Sequence, residues 1–552
     1  MLVALVPVVY QILHGAIVGS DAIFHFSRFY DTAMQIKSGK WSWFQTNYGF
    51  SQSGRVVNAL YGPLFAYANG LLVLMTHSWF RYELVSTFVI ELISGIGMFR
   101  LAKRVESRSG MAVILGAFYM NIGWLPRWQS AQNMTAWGAA LAPYLVIVAV
   151  RMLQAHDRPV NKWSLALVIS LMAQIHVLST LIFVITLIPF WLVGMLQARH
   201  RFKMLSESLW AVVITLALSA DVWASLLELM LKNQVAKPVD FNLAHNTLGL
   251  SWSGSSRDTL ALGIVIVIIT SLVLLGYYRD WLGLTVGGVG LFWLLLSSSL
   301  FPWAQIQAAM PILANDFQFP SRLTIVALPL LLVAIARVTT HFTKRMNLIS
   351  GLIIMLLALQ SLGSNFATVK SEAIKTNVKS SFGEYVIMLT GKTGDALRDP
   401  LYDNDLAALF KVAGKRTPDY LPVWNTTAKN LSLHYQDEVL TNQGAFHKQV
   451  LANGEICYTW TAKTSGNRQI PLIVYQQSQL TLNGKQVQPV KISAIGVPTI
   501  HQVTGQNTLI MKFQPHWWTP VMITISIGSW IILALSALVK KLIKFKKPAI
   551  SR

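Results

Sequence analysis

The chain is poor in charge and nearly devoid of cysteine. Of its 552 residues 12% are charged, 53% are hydrophobic, and the mean hydropathy is +0.48. Soluble domains carry about 25% charged residues. So much apolar surface cannot be hidden in a water-soluble globule, and composition alone puts the chain among multi-span membrane proteins. The single cysteine, Cys457, excludes an internal disulfide framework and a cysteine-rich metal site. A Walker A loop, a Rossmann glycine pattern, internal repeats and low-complexity tracts are all missing. The N-terminus has no basic n-region and no small-residue cleavage site, so residues 2–19 are expected to be a retained first span, not a signal peptide. Acidic residues are scarce too: 23 Asp and Glu stand against 45 Lys and Arg, a formal charge of +22. Such an excess can signal nucleic acid. Here it falls in short clusters between apolar runs, as the positive-inside rule requires, and no nucleic-acid partner is expected.

What is present is a series of apolar segments near the length of about 20 residues that a spanning helix needs. They lie near 2–19, 82–101, 110–126, 132–151, 163–178, 179–197, 206–225, 259–277, 281–299, 321–337, 347–365 and 519–539. Basic clusters follow alternate segments: Arg100 to Arg108, Arg151 to Lys162, Arg199 to Lys203, Arg337 to Arg345, and the tail from Lys540 to Lys547. All fall on one side if the N-terminus is cytoplasmic, which makes the C-terminus cytoplasmic as well. The long loops 20–81, 226–258, 300–320 and 366–518 are then outside. Residues 58–75 are apolar enough to span, but counting them would put the Arg100 cluster outside. They are expected to form an interfacial or re-entrant helix begun at Pro63.

Residues 366–518 differ in composition. Charges of both signs appear, and "IPLIVYQQSQLTLNGKQVQPVKIS" alternates apolar and polar residues around Asn483-Gly484, a hairpin signal. The expected fold is an α-helical polytopic membrane protein of about twelve transmembrane helices over 1–365. An extracytoplasmic β-rich domain over 366–518 follows, then a last helix and basic tail over 519–552.

Directly after the first span stands "GSDAIFHFSRFYD", with Asp21, His25 and Arg28 at i, i+4 and i+7, one face of a helix. In a bland reading Ser20 or Asp21 caps the helix, Arg28 snorkels to headgroups and His25 is incidental. Yet this loop also carries Lys37, Lys40 and Arg55, against the positive-inside trend. Cations just outside a membrane suit a lipid-linked phosphate. Trp41, Trp43 and Phe44 could stack on a sugar or form an aromatic belt.

The stretch "GSDAIFHFSRFYDTAMQIKSGKW" resembles the opening of GT-C-type membrane glycosyltransferases. It is most similar to the bacterial YfhO-like and "6-pyruvoyl-tetrahydropterin synthase-related" membrane proteins. "LYGPLFAY" (60–67), "QIHVLSTLIF" (174–183), "DFQFPSRLTI" (316–325) and "PDYLP" (418–422) resemble further motifs of that group in the same order. The label implies no pterin chemistry, since no His-triad zinc site is present.

The resemblance implies an inverting enzyme that moves a sugar from a polyprenyl-phosphate donor to a cell-envelope polymer, of teichoic acid or exopolysaccharide type, on the outer face. It implies Asp21 as general base, or as orienter of the acceptor, with His25 positioning it or sharing the proton. Arg28 and Arg322 would bind the donor phosphate, and His176, Trp41 and Tyr61 would contact substrate. A donor-synthesising transferase and a flippase are implied as partners. No cofactor is certain. A divalent metal stays open, although Asp21 and His25 alone are too few ligands for a site. Two other classes compete: a lipid-linked sugar flippase or transporter, and a non-catalytic assembly factor for envelope polysaccharide. The clustering of polar residues at one face, not at the midplane, favours the enzyme.

Overall fold

The computed structural model describes residues 1–377, 386–389 and 395–546. Helix dominates. The first seven helices are α1 (Leu2–His14), α2 (Ala22–Ser38), α3 (Pro63–Thr76), α4 (Trp79–Arg104), α5 (Ser109–Tyr119), the short α6 (Arg127–Ala131) and α7 (Thr135–Gln154). Next come α8 (Lys162–Ile175), α9 (Val177–Gln197), α10 (Arg201–Leu218), α11 (Ala220–Met230), α12 (Leu262–Tyr277) and α13 (Trp281–Ser297). After two short helices, α14 (Trp303–Ala309) and α15 (Leu313–Asp316), α16 (Thr324–Val338) runs through the middle of the bundle and α17 covers Lys344–Asn377. Nearly every side chain of α16 is buried, against α13, α12, α7 and α5. The outer helices α9, α10, α12 and α17 instead turn Leu, Ile and Val outwards along their length, the exterior of a helix that meets lipid.

Among the described residues six helices are long and apolar enough to cross a bilayer, and a seventh is obtained if α10 and α11, bent by 65°, count as one. Twelve full-length spans are therefore not confirmed. Each of the twelve expected segments nonetheless contains a helix. Six match the long helices, one matches the bent pair, and the other five match α1, α5, α8, α12 and α13, of 11 to 17 residues. At 1.5 Å per residue α1 and α5 rise only about 16–20 Å, short of a hydrocarbon core of about 30 Å. The cause is local. Gly15, at φ 101°, ends α1, and α5 gives way after Tyr119 to a run of turns.

Connections alternate between two ends. At one end Asp280 binds Arg337 (2.8 Å) and His341 (3.1 Å), Arg337 reaches Glu106 (2.8 Å), and Arg199 pairs with Asp157 (3.1 Å). The other end gathers the start of α2, the α6–α7 turn, the α8–α9 break and the entry to α16.

The strands concentrate near the C-terminus. A five-stranded antiparallel sheet has the order 447–450, 456–462, 505–513, 478–482, 485–487, beside a three-stranded one of 491–492, 498–502 and 466–469. Asn483 and Gly484, both at positive φ, make the expected hairpin turn between Leu482 and Lys485. Residues 395–440 are mostly short helices and turns, and α17 continues to Asn377, past 365. One apolar core lies wholly among the strands and their loops. A second is shared: Tyr475, Ile495 and Phe513 pack with Phe44, Val56 and Leu60 of the first loop and Leu229 of α11. Backbone bonds reinforce the seam, from Ile473 to the Ser53 carbonyl (2.8 Å) and from Ala236 to the Leu421 carbonyl (2.7 Å). The final helix, Trp518–Lys546, is clasped to α11. Glu228 takes hydrogen bonds from the His516 N–H (3.0 Å) and the Thr519 hydroxyl (2.5 Å).

Pro63 starts α3 where expected, because its missing N–H costs nothing in the first turn. Gly62 before it sits at φ +75°, and a Cβ there would overlap the Gln174 carbonyl of α8. Gly62→Ala is expected to destabilise the fold by roughly 2–5 kcal/mol, from the left-handed backbone and the overlap together. Thermal unfolding in detergent tests this. An unchanged midpoint would mean that α3 and α8 do not approach so closely.

Candidate functional site

Helix α2 starts where Asp21 donates its N–H to the Ala131 carbonyl (3.0 Å). The carboxylate does not cap the helix, contrary to the bland reading. It accepts from Asn133 Nδ2 (2.8 Å) and lies 3.5 Å from the Lys415 ammonium, which also reaches the Ser20 carbonyl. Its side chain stays 31% exposed. His25 and Arg28 follow on the same face, both buried. The expected contact between His25 and Asp21 is not made. His25 Nδ1 lies 3.2 Å from Arg28 Nη1 instead. A guanidinium has no acceptor, so the ring nitrogen accepts and the proton sits on Nε2. Burial, then the charges of Arg28, Lys415 and His176, hold His25 well below its ordinary range, and it is neutral at pH 7.

Arg28 is 0% exposed, so it does not snorkel. It donates to Asn58 Oδ1 (3.2 Å), to the Tyr61 carbonyl (2.7 Å) and to His25, and its guanidinium lies 4.3 Å from the centre of the Tyr61 ring. Among the described residues it has no carboxylate partner. Burial lowers it to about 10, and it keeps its charge. Three of its five N–H groups are engaged, leaving two.

The Tyr61 ring is the hub. His25 lies 5.6 Å from it, His176 6.0 Å and Tyr420 6.1 Å. His176 separates α8 from α9 and caps the latter, accepting from the Ser179 N–H (3.3 Å). Arg322, in the turn that Pro320 opens before α16, is only 4% exposed. It donates to the Phe317 carbonyl (3.1 Å) and lies over Phe319 (5.3 Å) and Trp124 (5.8 Å), while its Nε has no partner. Headgroup snorkelling does not describe it. Asp21, Tyr61 and His176 are within its electrostatic reach. The structure thus brings Asp21, His25, Arg28, Tyr61, His176 and Arg322 to one end of the bundle.

Trp41 does not join them. Helix α2 of 17 residues ends at Gly39, so Trp41 lies about 25 Å along the axis from Asp21. It is 55% exposed, and Tyr67 is its only ring neighbour among the described residues. Sequence reasoning missed Asn133 and Lys415, which hold Asp21, and Asp419, which faces Arg55 and Lys415. "PDYLP" contains Asp419 and Tyr420 and was a signal. Asn133 and Lys415 had none, lying 112 and 394 residues from Asp21. Among the described residues no three His, Cys, Asp or Glu side chains gather as a metal-ligand set. No family model, no curated protein and no solved structure matches this chain.

Asp31 supports the site from below. Its buried carboxylate accepts from the N–H groups of Tyr48 (2.8 Å) and Gly49 (3.3 Å) and from Gln35 Nε2 (2.7 Å). Burial outweighs these bonds and raises it to about 6. The folded chain therefore binds this proton more tightly than the unfolded one. The stability it contributes is full below about pH 4 and is lost as pH rises through about 6, an effect of about 3 kcal/mol. Asp31→Asn should remove that dependence. Unfolding midpoints of both proteins from pH 4 to 7 check this, and parallel curves would refute it.

Proposed function

We propose that the chain is a membrane glycosyltransferase of GT-C type, transferring a sugar from a polyprenyl-phosphate donor to a cell-envelope polymer on the outer membrane face. The observation that carries this reading is the pairing of a part-exposed carboxylate, Asp21, with two buried guanidiniums, Arg28 and Arg322, that have no carboxylate of their own among the described residues. Acceptor activation and departure of a phosphate need those two kinds of group side by side. In the reaction the acceptor hydroxyl attacks the anomeric carbon, and its proton passes to Asp21. The bond from that carbon to the phosphate oxygen breaks with inversion. The lipid phosphate leaves as an anion toward the free N–H groups of Arg28 and Arg322. Lys415 and Asn133 hold the Asp21 carboxylate in place, and neutral His25 fixes the Arg28 fork.

Asp21→Asn keeps an oxygen for the Asn133 amide and removes the base. Transfer of labelled sugar in membranes should fall roughly 10²–10⁴-fold, with folding unchanged. Transfer at the wild-type rate would end the catalytic reading. Arg28→Lys keeps the charge but loses the fork, and should weaken donor use while leaving residual activity.

The proposed orientation puts about twelve membrane crossings between cytoplasmic termini and an outer β-rich region. Ser253 and Ser109 are both exposed, at opposite ends of the bundle, while the native Cys457 is buried. In intact cells a membrane-impermeant thiol reagent should label Ser253→Cys and spare Ser109→Cys. The reverse pattern would put the site in the cytoplasm and exclude an outer-face reaction.

A further inference from the structure

A separate cavity of about 190 Å³ opens between the turn after α5, the loop before α12 and the outer half of α17. Arg127, Ser130, Ser256, Arg257, Asp258 and Asn365 are among the residues that line it. At ~30 Å³ per water it holds about six waters, less than the 300–1,000 Å³ of sites for drug-sized ligands. A small polar group fits it. Neither Arg28 nor Arg322 lines it.

Its charge is unbalanced. The Arg127 side chain makes no hydrogen bond and no ion pair among the described residues, and its Nε is enclosed without a partner. Three carboxylates lie within its electrostatic reach, those of Asp21, Asp258 and Glu372. Each is already held by another cation. Asp21 lies by Lys415 (3.5 Å), Asp258 by Arg257 (2.6 Å) and Glu372 by Lys375 (2.7 Å). Asp258 also accepts from the Ser321 hydroxyl (3.0 Å). Arg257 spends its Nε and Nη2 on Asp258, which leaves Nη1 free. An enclosed guanidinium nitrogen with no acceptor is costly unless something outside the chain supplies one. Two guanidiniums with spare N–H groups match the oxygens of a phosphate better than those of any neutral group.

We propose that this cavity is an anion subsite that takes a phosphoryl group, held by Arg127 and the free edge of Arg257. It stands apart from the sugar-transfer reading, because it rests on the cavity and its uncompensated charge. It is nevertheless close to Asp21. The Arg127 carbonyl accepts from the Asn133 N–H (3.3 Å), and Asn133 holds the Asp21 carboxylate (2.8 Å). A phosphoryl group could come from a water-borne molecule or from a lipid headgroup.

The test uses the full chain. In nanodiscs of phosphatidylcholine alone, saturable binding of radiolabelled inorganic phosphate is measured. In nanodiscs doped with phosphatidylglycerol, the lipid retained is measured by native mass spectrometry. Arg127→Gln removes the charge. Ser256→Glu places an opposing charge on an exposed rim residue, where it leaves the buried chain intact. Weakening of phosphate binding by tenfold or more in both variants supports a water-borne phosphoryl ligand. Loss of phosphatidylglycerol from both, with no phosphate binding in the wild type, supports a headgroup. If both variants match the wild type in both measurements, the proposal is overturned. Should Arg127→Gln fail to fold, Ser256→Glu decides alone.

Discussion

A guanidinium leaves water at lowest cost where acceptors and ring faces meet it. For Arg28 they come from three places: His25 on its own helix, Asn58 in the turn before α3, and the carbonyl and ring of Tyr61. Removing one partner from a buried charge typically costs about 3–5 kcal/mol, so this contact set fixes the path of the chain from 58 to 61. Gly62 must then turn at positive φ against α8, Pro63 can start α3, and the Tyr61 ring is placed near His25, His176 and Tyr420. Close crossing of α2 and α3 follows, with the Thr32 hydroxyl donating to the Ala66 carbonyl (2.8 Å). The site's geometry is thus a consequence of how one cation is kept out of water.

Charges at the two ends of the bundle are treated differently. At the far end cations and carboxylates neutralise one another, as in Arg337 with Asp280 and Glu106, and Arg199 with Asp157. Those contacts can be explained by stability and packing. At the site end Arg28, Arg322 and Arg127 are paired with no carboxylate among the described residues, although Asp21 opens the same helix as Arg28 and Asp31 lies on it. Asp31 is satisfied by neutral donors and Asp21 by Asn133 and Lys415. Packing alone would have been served by pairing these groups. Leaving them apart stores positive potential where an anion would sit, which is the physical basis of both proposals.

The apolar segments were legible in the sequence because a spanning helix announces itself over about 20 residues. Each contains a helix, but their ends were not legible. The early stop of α1 depends on Gly15 and that of α5 on the turns after Tyr119, where Gly123 sits at positive φ, not on any gap in hydropathy. The hairpin at Asn483-Gly484 was readable, since its signal is confined to two residues and their flanks. Asp21, His25 and Arg28 could be placed on one face by spacing, yet spacing could not tell that His25 turns to Arg28 and not to Asp21. That choice is made by Tyr61, more than thirty residues on. Trp41 was drawn in by its residue type, and the length of α2 takes it away. Lys415 and Asn133 lay beyond sequence reasoning, because nothing local marks a residue whose partner is more than a hundred positions distant.

The short helices and the β-rich region answer one constraint. Where α1, α5 and α8 stop early, the backbone at 15–21, 120–126, 132–134 and 176 is irregular, and irregular backbone cannot face hydrocarbon. It has to be satisfied by protein or by water. Side chains satisfy part of it: Gln132 accepts from the Gly19 N–H (2.9 Å), and Trp124 donates to the Ser321 carbonyl (3.0 Å). The segment 415–423 supplies more: Lys415 reaches the Ser20 carbonyl, and the segment is tied to the loop after α11 by the N–H groups of Tyr420 and Val423 on the carbonyls of Ala236 and Gln234. Shortened helices make room for polar side chains at this end, and the β-rich region then covers backbone that lipid could not. Because that cover rests on the first loop through Ser53 and Val56, any movement that opens it must also disturb the loop joining α2 to α3. Access to the polar cluster and the geometry of Arg28 are therefore mechanically linked.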